Sequence, residues 1–397
     1  MKFGLLKDTK IGEHRTILTP LEIGTLVSDG QDVYVQKDAG TLAGFPDEAY
    51  VKSGATILDT AEEMYAQCDF VTKVKEIEPW EFGLLREGQI IFTCIHPASY
   101  YDQVSAILES KCIAFTAEDS HRYGSPNCEA AGKAGALKGL QYLETNNGGK
   151  GKYVGGLAGS PSINVLILGA GNVGKAALSV LTNLGAKCTV FDINIGTMRE
   201  LELQYAGRVD TMLSTKENIA SLLPQTDLVI NSVKWQKDRT DHLIERDMLK
   251  LMEKGSVIVD ISADENGAIE TYRETSHDDP IYVIDGIIHY GVSNIPSVIA
   301  HSTSQAYAVS VLGHMRSIMK HGVKEACVRD GYLRRSMASY KGYLTHEETS
   351  ALQKRPWIQP EVILGIEDRV LDPAPYATVT RSENYLDASS ISLGDIE

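Results

Sequence analysis

The chain is expected to be an α/β protein with two doubly wound parallel-sheet domains, one inserted into the other. Three features of its 397 residues carry that expectation. Short apolar runs alternate with helix-spaced segments through the first third. The same alternation resumes near residue 164, and a long helical pattern stands on each side of that second series. Alternation of this kind implies parallel strand pairing with helices layered on the sheet.

Taken in order, strands are expected at Phe3 to Leu6, Val33 to Gln36, Phe70 to Val74, Ile90 to Ile95 and Cys112 to Thr116. Pro20 to Ser28, Thr60 to Ala66 and Tyr100 to Leu108 have helical spacing, and Thr19 before Pro20 is a helix-start signal. A long helix follows from Cys128 to Glu144, then a glycine-rich loop from Asn146 to Gly159. The second sheet draws on the run beginning at Val165, then Cys188 to Asp192, Thr211 to Leu213, Leu228 to Val233, Val257 to Ile261 and Tyr282 to Ile284. Ser302 to Met319 reads as another long helix. Two long helices bracketing the second sheet suggest that the chain leaves its first domain and later returns, which places residues 1–130 and 300–397 in one domain and 131–299 in the other. A cleft between them is where the chemistry is expected. From about Lys354 the tail is richer in Pro, Ser and Asp and poorer in periodicity, as in a segment that wraps a neighbour or stays mobile.

The most specific stretch is Asn164-Val-Leu-Ile-Leu-Gly-Ala-Gly-Asn-Val-Gly-Lys175. Gly169, Gly171 and Gly174 follow an apolar run and open an amphipathic segment, with Asn172 and Val173 between the last two glycines; Asp192 ends the next apolar run. The first glycine permits a tight turn, the second lets backbone approach a pyrophosphate, and the third allows close helix–sheet packing. The phosphates sit at the helix N-terminus and the acid accepts hydrogen bonds from the adenosine ribose. The segment is therefore read as a Rossmann-type cofactor domain. NAD is the expected cofactor, because a carboxylate at Asp192 repels the 2′-phosphate of NADP.

Composition narrows the partners. A formal net charge of -15 argues against nucleic acid and against an anionic membrane surface. No apolar run approaches the roughly 18 residues that span a bilayer, and no secretory leader is read at the start. The six cysteines, Cys68, Cys94, Cys112, Cys128, Cys188 and Cys327, lack CxxC spacing and mostly lie in or beside apolar runs, as free thiols in a reducing cytoplasm do. No His/Cys or His/Glu cluster has metal-ligand spacing, so no metal is expected. No GxSxG or paired Cys/His arrangement points to a covalent hydrolase.

Several polar residues stand where a packed sheet does not want them. Arg15, in Glu13-His14-Arg15 after the first strand, can grip a carboxylate with a two-pronged donor set. Lys73 and Lys75 share a strand face by alternation, with Lys75 at the exposed end, where an ammonium can polarise a carbonyl. His96, before Pro97, ends a strand and titrates in the range suited to proton transfer. Asp264 lies past the end of the Val257 run and could orient water or a protonated amine; Asn294 follows the last strand, where a nicotinamide or its ribose finds polar neighbours. Taken singly, Arg15 and Lys75 read as well as surface charges, and His96 as a satisfied structural histidine.

Together these segments resemble the alanine dehydrogenase family, which includes the soluble subunit of nicotinamide nucleotide transhydrogenase and the carboxyethylornithine synthases. The resemblance covers nearly the whole chain. It rests on Gly12-Glu13-His14-Arg15 through Thr19-Pro20, Lys73-Val74-Lys75-Glu76, Leu84 to Gln89, Glu129 to Lys133, the glycine unit, Val259 through Asp264, His289-Tyr290 through Asn294-Ile295-Pro296, and Tyr340 through Thr345. It implies an NAD-dependent amino-acid dehydrogenase that aminates a 2-oxo acid reversibly. In that scheme Arg15 and Lys75 bind the oxo acid, His96 and Asp264 serve proton transfer, Asp192 holds the ribose and Asn294 lies near the nicotinamide. A homo-oligomer is also implied. The chain departs from alanine dehydrogenase at Lys234-Trp235-Gln236-Lys237-Asp238-Arg239, at His96-Pro97 and at Ala300-His301-Ser302. Those departures raise one alternative, an opine-type synthase that condenses an oxo acid with an amino acid's amine; a nucleotide-binding transhydrogenase subunit and a cofactor-binding regulator without turnover are readings from other classes.

Overall fold

The computed structural model describes residues 1–236, 239–263, 265–378 and 380–386. It divides into two compact units, Met1–Ser125 with the residues from Ala300 onward, and Pro126–Ile299.

The first unit begins β1 (Lys2–Leu5), α1 (Pro20–Ser28), β2 (Asp32–Gln36), α2 (Asp47–Lys52), β3 (Thr56–Leu58), α3 (Ala61–Gln67), β4 (Phe70–Thr72), β5 (Ile90–Thr93), α4 (Tyr101–Glu109) and β6 (Ile113–Thr116). The parallel strands lie in the order β3-β2-β1-β4-β5-β6, so the winding reverses between β1 and β4. Strands β4, β5 and β6 are buried at every position, which is why their sequences are apolar runs rather than alternations. Helix α1 starts where the Thr19-Pro20 signal put it: the Thr19 hydroxyl accepts from Leu21 N–H and Glu22 completes a capping box.

The second unit contains α5 (Pro126–Tyr142), β7 (Asn164–Leu168), α6 (Asn172–Asn183), β8 (Lys187–Asp192), α7 (Ile195–Tyr205), β9 (Val209–Leu213), α8 (Lys216–Leu222), β10 (Leu228–Asn231), β11 (Val257–Asp260), β12 (Ile281–Ile284) and β13 (Ile287–Tyr290). Its parallel strands repeat the same order, β9-β8-β7-β10-β11-β13, with the reversal between β7 and β10. Ligands in open α/β sheets bind beyond the carboxyl ends of strands at such a reversal. The chain then returns to the first unit with α9 (Ala300–Arg329), broken at Gly322, followed by α10 (Gly331–Arg335), β14 (Met337–Tyr340), β15 (Tyr343–Leu344), α11 (Glu347–Gln353) and α12 (Pro360–Ile363).

The α/β architecture with two doubly wound sheets is as expected, with four differences. Both sheets are mixed: β14 and β15 join the first as antiparallel strands, and β12 forms an antiparallel edge on the second. The run Tyr282 to Ile284 was expected to be the last parallel strand. That place belongs to β13, which carries His289 and Tyr290 and follows a two-residue Asp285-Gly286 hairpin turn. Strand β3 and helices α2, α7 and α8 have no counterpart in the expected elements, being three to eleven residues long with much of their surface exposed or half-buried. The tail is not loose over its described part: Trp357, Ile358, Ile363, Leu364 and Ile366 are buried, and all but Trp357 sit in the first unit's main core.

Candidate functional site

In the first unit the loops at the reversal point bring a cluster of charges together. The loop after β1 supplies Asp8, Lys10, Glu13 and Arg15, and the segment after β4 supplies Lys73, Lys75 and Glu76. Asp8 joins the two, accepting from the Lys75 N–H at 2.7 Å and the Lys10 N–H at 3.1 Å. His96 follows β5 and Glu118 follows β6. His96 sits in the left-handed region at φ 41°, a conformation that costs on the order of 1–3 kcal/mol for a side chain of this kind. A Glu118 carboxylate oxygen accepting the His96 backbone N–H at 2.8 Å helps to hold it there.

The side chains divide into engaged and open groups. Arg15 is buried and gripped by Glu13, with Nε to Oε1 at 2.7 Å and a second contact from Nη2 to Oε2 at 2.5 Å. Burial raises the Glu13 carboxyl's pKa, but the guanidinium outweighs it and leaves the group below its ordinary value. Lys73 is fully buried and paired to Glu81 at 2.5 Å, with Tyr65 on the other carboxylate oxygen at 3.0 Å. The Lys75 ammonium, two residues on, makes no hydrogen bond or ion pair with a described residue and lies within the field of Glu13 and Glu76. The His96 Nδ1 is 2.8 Å from Glu76 Oε1, while Nε2 stands 4.0 Å from Glu118 Oε1 and the side chain is 40% exposed. Burial lowers the imidazole's pKa, but the Glu118 and Glu76 carboxylates prevail and raise it above the usual histidine value.

Cys94 and Tyr307 lie beside the cluster and act on the Arg15 charge. The Cys94 Sγ is 2.8 Å from the Tyr307 hydroxyl, and burial pushes both groups up, keeping them protonated. The returning chain steadies the loops: Gln353 donates to the Pro97 carbonyl at 2.7 Å, and His346 Nε2 meets Asp119 at 3.0 Å. Of the residues predicted here, Arg15, Lys75 and His96 are brought to one end of one sheet. The sequence reading did not give Glu13, Glu76 and Glu118 roles, although Glu13 and Glu76 stood beside the cations it named.

In the second unit the glycine loop fits a dinucleotide. Gly169 turns at φ 91°, and a Cβ on Gly174 would lie 2.0 Å from the Gly169 carbonyl oxygen. A Cβ on Gly171 would meet nothing within 4 Å. Gly171 is the N-cap of α6 with no side-chain cap, and no acid occupies the first turn of the helix, so the amides of Asn172, Val173 and Gly174 are left to an anion. Asp192 ends β8 and accepts from the Ala170 N–H at 2.6 Å and the Asn194 N–H at 2.8 Å, bracing the loop as well as presenting a carboxylate.

The remaining predicted residues are less telling. Asn294 is half-buried just after β13, and its carbonyl pairs with His277 Nε2 at 3.0 Å. Asp264 lies outside the described residues, as do Lys237 and Asp238 of the charged loop. In the rest of that loop, Arg239 stacks on Trp235 at 3.8 Å and pairs with Asp241, so these side chains engage each other. His301 is spent on the Ala43 carbonyl at 2.7 Å and on the Phe45 ring. His289 stacks on Tyr282 within the sheet edge and is structural. No group of three or more His, Cys, Asp or Glu residues suited to a metal occurs among the described residues, and no helix there is long and apolar enough to cross a membrane.

A cofactor-type glycine loop on one doubly wound sheet and, on the other, a cluster of cations and carboxylates around a half-exposed histidine are the features of a nucleotide-dependent oxidoreductase of small substrates. The profile described as "Alanine dehydrogenase/PNT, N-terminal domain" matches residues 4–125, and that described as "Alanine dehydrogenase/PNT, C-terminal domain" matches residues 135–347. An alanine dehydrogenase of Methanococcus maripaludis is 35% identical over 372 residues, covering 92% of this chain and 100% of the relative. One from Staphylococcus haemolyticus is 35% identical over 354 residues, covering 87% and 95%. A solved L-alanine dehydrogenase superposes with a TM-score of 0.83 at 31% identity, covering 89% of this chain and 99% of the other. A transhydrogenase structure from Sinorhizobium meliloti, with a TM-score of 0.74 at 20% identity and coverage of 87% and 100%, shares the fold. The chain belongs to the alanine dehydrogenase/PNT family.

Proposed function

We infer that this protein is an NAD-dependent amino-acid dehydrogenase that interconverts an L-amino acid and water with a 2-oxo acid and ammonia. The observation that carries the reading is His96, with one ring nitrogen engaged by a carboxylate and the other open, beside the unpaired Lys75 ammonium. NAD, when bound, would supply the hydride chemistry, exchanged at C2 between the amino acid and the iminium formed when the oxo acid condenses with ammonia and loses water. Gly169, Gly171, Asn172, Val173 and Gly174 hold its pyrophosphate, Asp192 its adenosine ribose, and Asn294 its nicotinamide end. Arg15 anchors the substrate carboxylate, and Lys75 polarises the oxo group. His96 Nε2 takes a proton from water adding at C2 in deamination and gives it back in amination. Asp264 assists the amine. Relatives named as alanine dehydrogenases do not favour the opine or transhydrogenase alternatives. We further propose a cytoplasmic homo-oligomer, which light scattering after size exclusion tests.

The deciding experiment follows NADH absorbance while crossing several oxo acids with ammonia, ornithine and lysine. Turnover with an oxo acid and ammonia alone is expected. Turnover that demands the amino-acid amine overturns the reading in favour of opine synthesis.

A further inference from the structure

We propose that Lys10 and Glu76 act as positioning residues that set the proton affinity of His96 through a three-member chain, Lys10–Glu76–His96. Glu76 has two oxygens and uses both: Oε1 lies 2.8 Å from His96 Nδ1, and Oε2 lies 2.8 Å from Lys10 Nζ. Glu76 is nearly buried, with its side chain 9% exposed, whereas Lys10 is 33% exposed and its ammonium lies over the Tyr100 ring at 5.9 Å. A carboxylate on Nδ1 holds that nitrogen as the N–H, which leaves Nε2 as the atom that gains and loses the reacting proton. Burial raises the Glu76 carboxyl's pKa, but His96, Lys75 and Lys10 outweigh it and bring the group well below the carboxylate range, so it stays ionised throughout the working pH.

The two partners pull His96 in opposite directions. The Glu76 charge favours imidazolium; Lys10, by sharing that charge, weakens the pull. The other charged groups facing His96 are Glu118, from the segment after β6, which favours imidazolium, and Lys75, which opposes it. Asp8 ties the Lys10 and Lys75 backbones together and so fixes the spacing of the chain. Lys10 thus acts as a surface-side regulator of a proton-transfer group that it does not touch.

The inference rests on the dehydrogenase reading for its use but is tested without it. Histidine-labelled protein is titrated by NMR, with the His96 resonance assigned by its loss in His96→Gln. Glu76→Gln keeps the shape and removes the charge; it should lower the His96 pKa by about one to three units. Lys10→Met should raise it by about half a unit or more, the size expected when one positive charge is lost from a partly solvated cluster. In the rate profile for amino-acid oxidation, the acid limb should move the same way in each variant. Shifts of opposite sign support the chain; shifts of the same sign, or none in Lys10→Met, overturn it. If Glu76→Gln does not fold, Lys10→Met alone decides. Opposite NMR shifts in a protein that oxidises no amino acid would sink the functional reading and leave the chain standing.

Discussion

At the residue scale the decisive contrast lies between cations that are paired and one that is not. Lys73 and Lys75 looked alike by alternation, yet Lys73 is buried on Glu81, whereas the Lys75 ammonium has no hydrogen-bond or ion-pair partner among the described residues. Sequence order could not separate them, because the partner acid lies eight residues away in a short helical turn. Arg15 and His96 drew notice in the sequence because each follows a strand within a quoted motif, and the structure places both in loops at one end of one sheet. The carboxylates that fix them were not, since an acid beside a cation reads as a solvated charge. His96→Ala should reduce turnover by about 10² to 10⁴, the usual size of a general acid–base contribution, and leave NADH binding intact. Stopped-flow rates near the wild-type value would remove the residue from the chemistry. Glu13→Ala leaves the buried Arg15 guanidinium without its carboxylate, and stability to urea should drop by about 3–5 kcal/mol. A loss under 1 kcal/mol would mean that the guanidinium finds other acceptors or water in this loop.

At the element scale, the strand–turn–helix from β7 to α6 was the easiest part to read and the reversal points of the sheets were the hardest. A Gly-x-Gly-x-x-Gly run after an apolar strand has a single geometric solution, and the structure adopts it. The strand at Tyr282 to Ile284 was misassigned because the Asp285-Gly286 pair after it is a two-residue hairpin signal, both residues at positive φ, that folds β12 back as an antiparallel edge and gives β13 the parallel place. The position of β1 between β2 and β4 is set by crossovers, which no local pattern records, yet that position gathers Arg15 and Lys75. The glycine geometry makes a direct prediction. Gly174→Ala places a Cβ 2.0 Å from the Gly169 carbonyl oxygen, which the α6 start cannot accommodate without moving its free amides. NADH affinity, read by fluorescence titration, should weaken at least about tenfold, which corresponds to 1.4 kcal/mol. Unchanged affinity would show that the cofactor does not use this helix end.

At the scale of the whole molecule, the histidines divide the two units by their response to acid. In the unit of residues 126–299, burial holds His289 down at about 4, because its ring is sealed against Tyr282 and the charged form is poorly solvated there. In the other unit, burial and the neighbouring His314 bring His121 down to about 4, but His96 and His346 are raised by the carboxylates beside them. The signs differ. A histidine whose folded value lies below the unfolded value of about 6.5 contributes stability that is present above that value and drains away as pH falls toward 4. A histidine whose folded value is raised contributes stability that is complete below about 6.5 and is lost as pH rises through the folded value. Between pH 7 and pH 5, His121 therefore weakens the first unit while His96 and His346 strengthen it. His289 weakens the second unit by about 2 kcal/mol with no resolved histidine shift to offset it. Hydrogen exchange at the two pH values, corrected for intrinsic exchange rates, should show protection falling in β11, β12 and β13 before it falls in β4, β5 and β6. His289→Gln, which cannot titrate, should remove most of that difference. Acid opening that begins in β4 to β6 would refute the assignment, because it would require His121 to outweigh both raised histidines.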